Sequence, residues 1–232
     1  NDGTGQFSDS GQLLGSDYAT SGAVGDVDGD LDLDIVVTNY VSIFSPGTNR
    51  LYLNDGSGLF IQSAQSLGTG NNKAVALGRI DGDADLDLFI SERGGPSRAW
   101  SNNGSGTFTA SPQLLGSATT NAVALGDLNG DGDLDAFLGN SGANTVWFNN
   151  GNGIFVDSAQ ALGSEDTTAV HLFDADGDGD IDAWTTNGDG ATQASAVWLN
   201  DGSGIFTASG WTLASKRAAK SAIGNLDDDY DP

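Results

Sequence analysis

The motif Asn-x-Gly-x-Gly-x-Phe occurs five times in 232 residues, opening at Asn1, Asn54, Asn102, Asn149 and Asn200. This recurrence constrains the fold more than any other feature. A unit that returns after 53, 48, 47 and 51 residues is a supersecondary element that buries its faces against copies of itself. A nine-residue Asp-rich loop begins 25 residues after each opening Asn, at Asp26, Arg79, Asp127, Asp174 and Asn225. Between these landmarks Leu14, Leu67, Leu115, Leu162 and Leu213 coincide, as do Ala23-Val24, Ala76-Leu77, Ala124-Leu125, His171-Leu172 and Ala222-Ile223.

Within a copy, Ala74 to Leu77, Leu88 to Ser91, Arg98 to Ser101 and Thr107 to Ala110 are short apolar or aromatic runs separated by Asn/Asp-Gly turns. They read as strands A to D, because such turns favour hairpins and helical periodicity is nowhere sustained. The pattern predicts an all-β β-propeller of four-stranded antiparallel blades, with four complete blades and parts of a fifth in residues 1–232. Strand D of that further blade comes from residues 5–8 and its strand A from about 218–225. Further blades beyond this sequence, or another chain, are expected to supply the rest, and unpaired blade edges would favour self-association. The aligned Tyr52, Trp100, Trp147 and Trp198 are read as packing between blades rather than as a sugar-stacking ladder. Trp211 replaces the Gln found at Gln12, Gln65, Gln113 and Gln160, and is expected to fill core.

Thirty-two Asp and Glu stand against eight Lys and Arg, a net charge of −24 that excludes phosphate-neutralising nucleic-acid binding and docking on an anionic membrane. Cys is absent, which removes disulfides, thiol catalysis and Cys-ligated zinc. No apolar run is long enough for a membrane-spanning helix, and a start at Asn1 is expected of a processed chain or an excerpt. The five Asp-rich loops hold 22 of the 32 acidic residues, so most of the negative charge is candidate ligand charge.

The first loop places Asp26, Asp28, Asp30, Asp32 and Asp34 at alternate positions, and the fourth repeats this with Asp174, Asp176, Asp178, Asp180 and Asp182. The third carries Asp127, Asn129, Asp131, Asp133 and Asp135. Alternate short carboxylates with Gly at the bend let one tight loop surround a hard cation, and Ca²⁺ accepts six to eight oxygens in flexible geometry. Mg²⁺ prefers fewer carboxylates and more water. An EF-hand is excluded, since Val37 and Leu138 stand at the twelfth position where it needs Glu and the flanks are strands.

The pattern Asp-x-Asp/Asn-Gly-Asp-x-x-x-Asp between two strands, repeated at blade spacing, resembles the FG-GAP or VCBS repeats of bacterial surface proteins, related to the calcium-binding blades of integrin alpha-subunit propellers. The resemblance covers the whole chain. It implies that side chains one, three, five and nine and the carbonyl of residue seven hold Ca²⁺. Site one would then use Asp26, Asp28, Asp30 and Asp34 with the carbonyl of Asp32. Site three would use Asp127, Asn129, Asp131 and Asp135 with Asp133, and site four Asp174, Asp176, Asp178 and Asp182 with Asp180. In the second loop Arg79 takes the first position, leaving Asp81, Asp83 and Asp87, and its guanidinium is expected to stand in for the ion. The fifth loop offers Asn225, Asp227 and Asp229 without a ninth residue. Three good sites are expected. The resemblance also implies seven blades in a complete ring, and an extracellular or cell-surface location.

All length variation falls between the last Asp of a loop and the next opening Asn, in intervals of 20, 15, 14 and 18 residues. These hold the B–C connections, which in a propeller share a face with the D–A turns, opposite the Asp loops. Variable loops on a constant scaffold are where recognition resides. Candidate contacts for a protein or glycan are Tyr18, Tyr40, Phe44, Arg50, Arg93 and Arg98, with Val41, Ile43, Glu92, Asn187, Asp189, Gln193, Asn72 and Lys73 nearby. Integrin-type propellers bind ligands on that face. No residue names a general acid, base or nucleophile. The lone His171 sits in a small-residue slot and reads as packed, and the sequon Asn103-Gly104-Ser105 reads as a hairpin turn. The expectation is a non-enzymatic, calcium-stabilised adhesion or recognition module. Its rivals are a self-associating structural repeat and a polysaccharide-lyase-type propeller.

Overall fold

The computed structural model describes residues 4–6, 8–40, 47–188, 193–212 and 220–222. The repeat becomes four antiparallel four-stranded sheets. Sheet I comprises β1 (Ala19–Gly25), β2 (Asp34–Asn39), β4 (Arg50–Asn54) and β5 (Phe60–Gln62). Two short strands, β3 (Gly47–Thr48) and β6 (Thr69–Gly70), pair beside it. Sheet II contains β7 (Asn72–Gly78), β8 (Asp87–Glu92), β9 (Arg98–Asn102) and β10 (Phe108–Ala110). Sheet III contains β11 (Thr120–Gly126), β12 (Asp135–Asn140), β13 (Thr145–Asn149) and β14 (Phe155–Asp157). Sheet IV contains β15 (Thr167–Phe173), β16 (Asp182–Asn187), β17 (Ala196–Asn200) and β18 (Phe206–Thr212). Each is a meander in chain order, and β1, β7, β11 and β15 lie side by side, as the inner strands of a propeller-like arrangement do. The first strand of each sheet carries a register shift at the same place, as at Ala19/Ser21 and Thr167/Ala169.

The core lies between sheets rather than within them. Phe155 of sheet III meets Phe89 of sheet II edge to face at 5.6 Å, and Phe206 meets Phe137 likewise at 5.5 Å. Phe108 enters the cluster formed by Val27, Val36 and Leu51 of sheet I. Trp100, Trp147 and Trp198 pack partly buried against the same clusters and Tyr52 is buried, so the strand-C aromatics fill interfaces.

Two repeated amides tie neighbouring sheets. The Gln65 side chain donates to the Phe108 carbonyl and accepts from the Phe108 amide, pairing with the next sheet's outer strand as a backbone would. Gln12 does the same for Phe60, and Gln113 for Phe155. Gln160 donates to the Gly204 carbonyl and accepts from the Phe206 amide. The opening Asn reaches the other way: Asn102, Asn149 and Asn200 donate to the carbonyls of Val27, Ile80 and Leu128 in the preceding sheet. Trp211, expected in the core, is 51% exposed. It stands where the other copies place Gln, and an indole cannot both donate to and accept from a strand edge.

Asn149→Ala should destabilise the protein by about 1–2 kcal/mol in urea unfolding, because it removes the side-chain tie to the Ile80 carbonyl of the preceding sheet, which keeps only the Gly153 amide, and the bond to the half-buried Leu134 carbonyl. Gln113→Ala should cost about 1–2 kcal/mol by releasing β14 from its clamp.

Candidate functional site

Each Asp loop bridges the first two strands of its sheet, and the ninth carboxylate is its anchor. Asp34, Asp87, Asp135 and Asp182 are at most 1% exposed. One oxygen of each accepts the amide of the opening Asn in its sheet (Asn54, Asn102, Asn149, Asn200) at 2.8 Å. The other accepts an amide from the loop's second residue, Val27, Ile80, Leu128 or Ala175. The first Asp folds the loop over: Asp26 accepts the amides of Gly29 and Leu31, and Asp127 and Asp174 repeat this through Gly130 and Gly132, and Gly177 and Gly179. The sixth residue adopts positive φ in these three loops, at 75° for Leu31, 90° for Gly132 and 95° for Gly179.

Carboxylate oxygens converge within 4.8 Å of one another in three loops: Asp26, Asp28 and Asp34; Asp81, Asp83 and Asp87; and Asp174, Asp176 and Asp182. These clusters can hold a metal ion. Asp28 Oδ1 and Asp81 Oδ1 are buried and accept no hydrogen bond, so each leaves an unsatisfied anionic oxygen inside its cluster. Burial raises the Asp28 carboxyl above its ordinary range, with Asp34 and Asp30 adding repulsion. Burial likewise raises Asp81, with the charge of Asp83 adding to it. A hard cation satisfies both oxygens and offsets the repulsion, so the residues present fit one.

The fifth-position Asp30 and Asp178 lie outside these clusters and accept the amides of Asp32 and Asp180. In the third loop Asn129 donates to Asp131, leaving Asp127 and Asp135 as its remaining first- and ninth-position acids. The seventh-position side chains of Asp32, Asp133 and Asp180 abut Gly56, Gly151 and Gly202, the hairpin glycines of their own sheets. Asn225, Asp227 and Asp229 lie outside the described residues.

The second loop corrects the expectation for Arg79. Its guanidinium does not replace the ion: Nε donates to the Ala84 carbonyl at 2.8 Å, the side chain is exposed, and it makes no ion pair with Asp81, Asp83 or Asp87. Where the first Asp of the other loops draws in the sixth residue's amide, Arg79 draws in its carbonyl, and Ala84 keeps an ordinary φ. Loop closure therefore survives the reversal of charge, and the three remaining acids still meet.

On the opposite face, Tyr18 is largely exposed and its carbonyl accepts the Tyr40 amide, bringing the two residues together. Arg50 is ion-paired with Asp17 at 3.1 Å, Arg93 is exposed, and Phe44 lies outside the described residues. Arg98 lines a pocket of about 230 Å³ between sheets I and II with Glu92, Trp100, Asn49 and Asn72. Sequence reasoning did not identify this pocket. A signal for it was present, since Glu92 ends its strand where the other sheets place Asn39, Asn140 and Asn187.

Asp135 is pushed up to about 6, chiefly by burial, against the two amides that hold it. In the folded, metal-free chain it thus stays protonated at a pH where the unfolded carboxyl is ionised. Its contribution to stability is full below about pH 4 and is lost as pH rises through about 6. With a chelator present, unfolding free energy should fall across that window. A flat or rising profile would contradict this assignment.

The family model of the FG-GAP-like repeat matches residues 79–138 and 127–185. No curated protein matches the sequence. A solved lectin from Agrocybe aegerita, described for its specific recognition of non-reducing terminal N-acetylglucosamine, superposes with a TM-score of 0.52 at 22% identity, over 84% of this chain and 51% of the lectin chain. The present chain therefore spans about half the length of that lectin, and the likeness is one of fold. The matched residues include the second, third and fourth Asp loops and carry FG-GAP-like repeats, and the first loop repeats their pattern.

Proposed function

We propose that this is an extracellular or cell-surface recognition module: a propeller whose Asp loops take up Ca²⁺ and whose opposite face binds a glycan or protein. The observation that carries the reading is the division of labour between the two faces. One repeats its oxygen ligands from sheet to sheet, while the other opens a pocket where the repeat is broken by Glu92.

For the metal, Asp26, Asp28 and Asp34, then Asp81, Asp83 and Asp87, and Asp174, Asp176 and Asp182 supply the oxygens. Bound Ca²⁺ would neutralise carboxylates that the loops otherwise force together. The ninth Asp anchors each loop to its hairpin, so neutralising the loop stabilises the junction of two elements at once. Purely oxygen donors and the absence of Cys favour a hard cation.

For the ligand, the pocket between sheets I and II offers a carboxylate acceptor, a guanidinium donor, two buried amides and one Trp edge. This polar set beside an aromatic surface suits a saccharide, whose hydroxyls both donate and accept while its ring packs on apolar carbon. The lectin neighbour supports a glycan over a peptide. The reading is one of binding rather than catalysis.

The melting temperature should rise on adding millimolar Ca²⁺ and fall with chelator, with Mg²⁺ much less effective. A hundredfold excess over Kd corresponds to about 2.7 kcal/mol. Asp28→Ala should reduce the shift, and absence of any shift would refute the calcium reading. Calorimetric titration of the Ca²⁺-loaded chain with N-acetylglucosamine and other neutral hexoses should detect binding that Glu92→Gln and Arg98→Ala weaken at least tenfold without altering the melting temperature. Binding indifferent to both substitutions would place recognition elsewhere.

A further inference from the structure

Five Asn-Gly pairs occur in the chain, at Asn103, Asn129, Asn150, Asn152 and Asn187. Such a pair is chemically reactive, because the glycine amide can attack the preceding side-chain carbonyl with no Cβ in its way. The folded structure sorts the five by the state of that amide. Gly130 donates to Asp127 Oδ1 at 2.8 Å, Gly153 to the Ile80 carbonyl at 3.1 Å and Gly188 to the Asp166 carbonyl at 2.9 Å. Among the described residues Gly104 and Gly151 donate to nothing, so these two nitrogens are free.

Both free amides belong to hairpins that lie against the seventh carboxylate of an Asp loop. A Cβ on Gly104 would stand 2.5 Å from Asp85 Oδ2, and one on Gly151 would stand 2.6 Å from Asp133 Oδ2. The two pairs differ at the carbonyl under attack. Asn103 Oδ1 accepts the Ser105 amide at 3.1 Å, the Ser105 hydroxyl at 2.8 Å and the Thr107 amide at 3.2 Å. Asn150 Oδ1 accepts the Asn152 amide alone, at 3.1 Å. In two other hairpins the same three-donor cradle holds a carboxylate: Asp55 takes it from Ser57 and Leu59, and Asp201 from Ser203 and Ile205. The serine hydroxyl, foremost among the causes, holds each of those carboxyls below its ordinary range, so the cradle favours negative charge.

We propose that Asn103 is a self-modification site that deamidates in the folded protein, with Asp85 as the base and the Ser105 and Thr107 donors holding the oxyanion. Asp85 takes the Gly104 N–H proton as that nitrogen bonds to Asn103 Cγ, and negative charge develops on Oδ1, where three donors already converge. The carbonyl then re-forms, the Cγ–Nδ2 bond breaks, and ammonia leaves with the proton that Asp85 returns. Water opens the resulting succinimide. Attack at Cγ gives an aspartyl residue, and attack at the α-carbonyl gives an isoaspartyl residue with one more backbone methylene. The fold accommodates the aspartyl product, since Asp55 and Asp201 already occupy that hairpin position. Asn150 has the free amide and the carboxylate without the cradle, and ranks second.

The full chain, held folded at neutral pH in heavy-oxygen water and read by peptide mapping, tests this. Label should enter position 103 about fivefold or more faster than positions 129, 152 and 187, with position 150 between. Asp85→Asn should slow position 103 by about threefold or more and leave position 150 unchanged, while Asp133→Asn should do the reverse. Ser105→Ala should slow position 103 alone. In concentrated urea the effect of Asp85→Asn should vanish, because only folding brings that carboxylate to Gly104. Labelling of all five positions at one rate, slower labelling at position 103 than at position 150, or indifference of the folded chain to Asp85→Asn would overturn the inference.

Discussion

A buried carboxylate sits at the root of every sheet, and the rest of the molecule is arranged around the cost of keeping it there. Asp34, Asp87, Asp135 and Asp182 each spend both oxygens on backbone amides, one from the Asp loop and one from the hairpin between the third and fourth strands. Those bonds offset part of the desolvation and weld two loops into one unit. They leave in place the burial, and after it the repulsion among neighbouring acids, that raise the Asp28 and Asp81 carboxyls. Structure and cation demand therefore share an origin: the geometry that organises the sheet is what gathers the charge.

Cohesion between sheets uses a small kit of side chains, each with a single task. Phe brings apolar area into the preceding core, Gln extends the hydrogen-bonding edge of the following sheet, and the opening Asn reaches back to a carbonyl one sheet earlier. Because every junction reuses the same kit, a departure from it carries information. Glu92 opens a polar pocket where an Asn would have tied a turn.

The two ends of the sheets answer to different pressures. At the Asp-loop end, hairpin glycines touch both the seventh Asp of their own sheet and, as Gly104 does with Gly29, the loop of the preceding one. Backbone packed this closely leaves no room for length variation, and the spacing from opening Asn to loop is constant at 25 residues. At the other end a pocket opens between sheets I and II, and the length and composition of the connections drift from copy to copy.

Much of this was legible in the sequence because it is local. Strands, hairpins and the alternation of loop carboxylates follow from turn residues and period-two patterning within a few positions, and equal spacing alone gave the four sheets their register. The packing role of Trp100, Trp147 and Trp198 could also be read from their alignment. What only the tertiary structure decided involves partners in different sheets or the direction of one side chain. Arg79 was expected to stand in for an ion, yet its Nε turns to the Ala84 carbonyl while three acids converge without it. Trp211 was expected in the core and lies exposed, and the repeated Gln was visible in every copy with no hint that it pairs with a strand more than 40 residues away. The hydrogen bond between His171 and Ser221 spans 50 residues. Local pattern specifies what each segment becomes; which polar atoms end up facing one another is settled only when the sheets pack, because an unsatisfied buried group is costly only once water has been excluded from it.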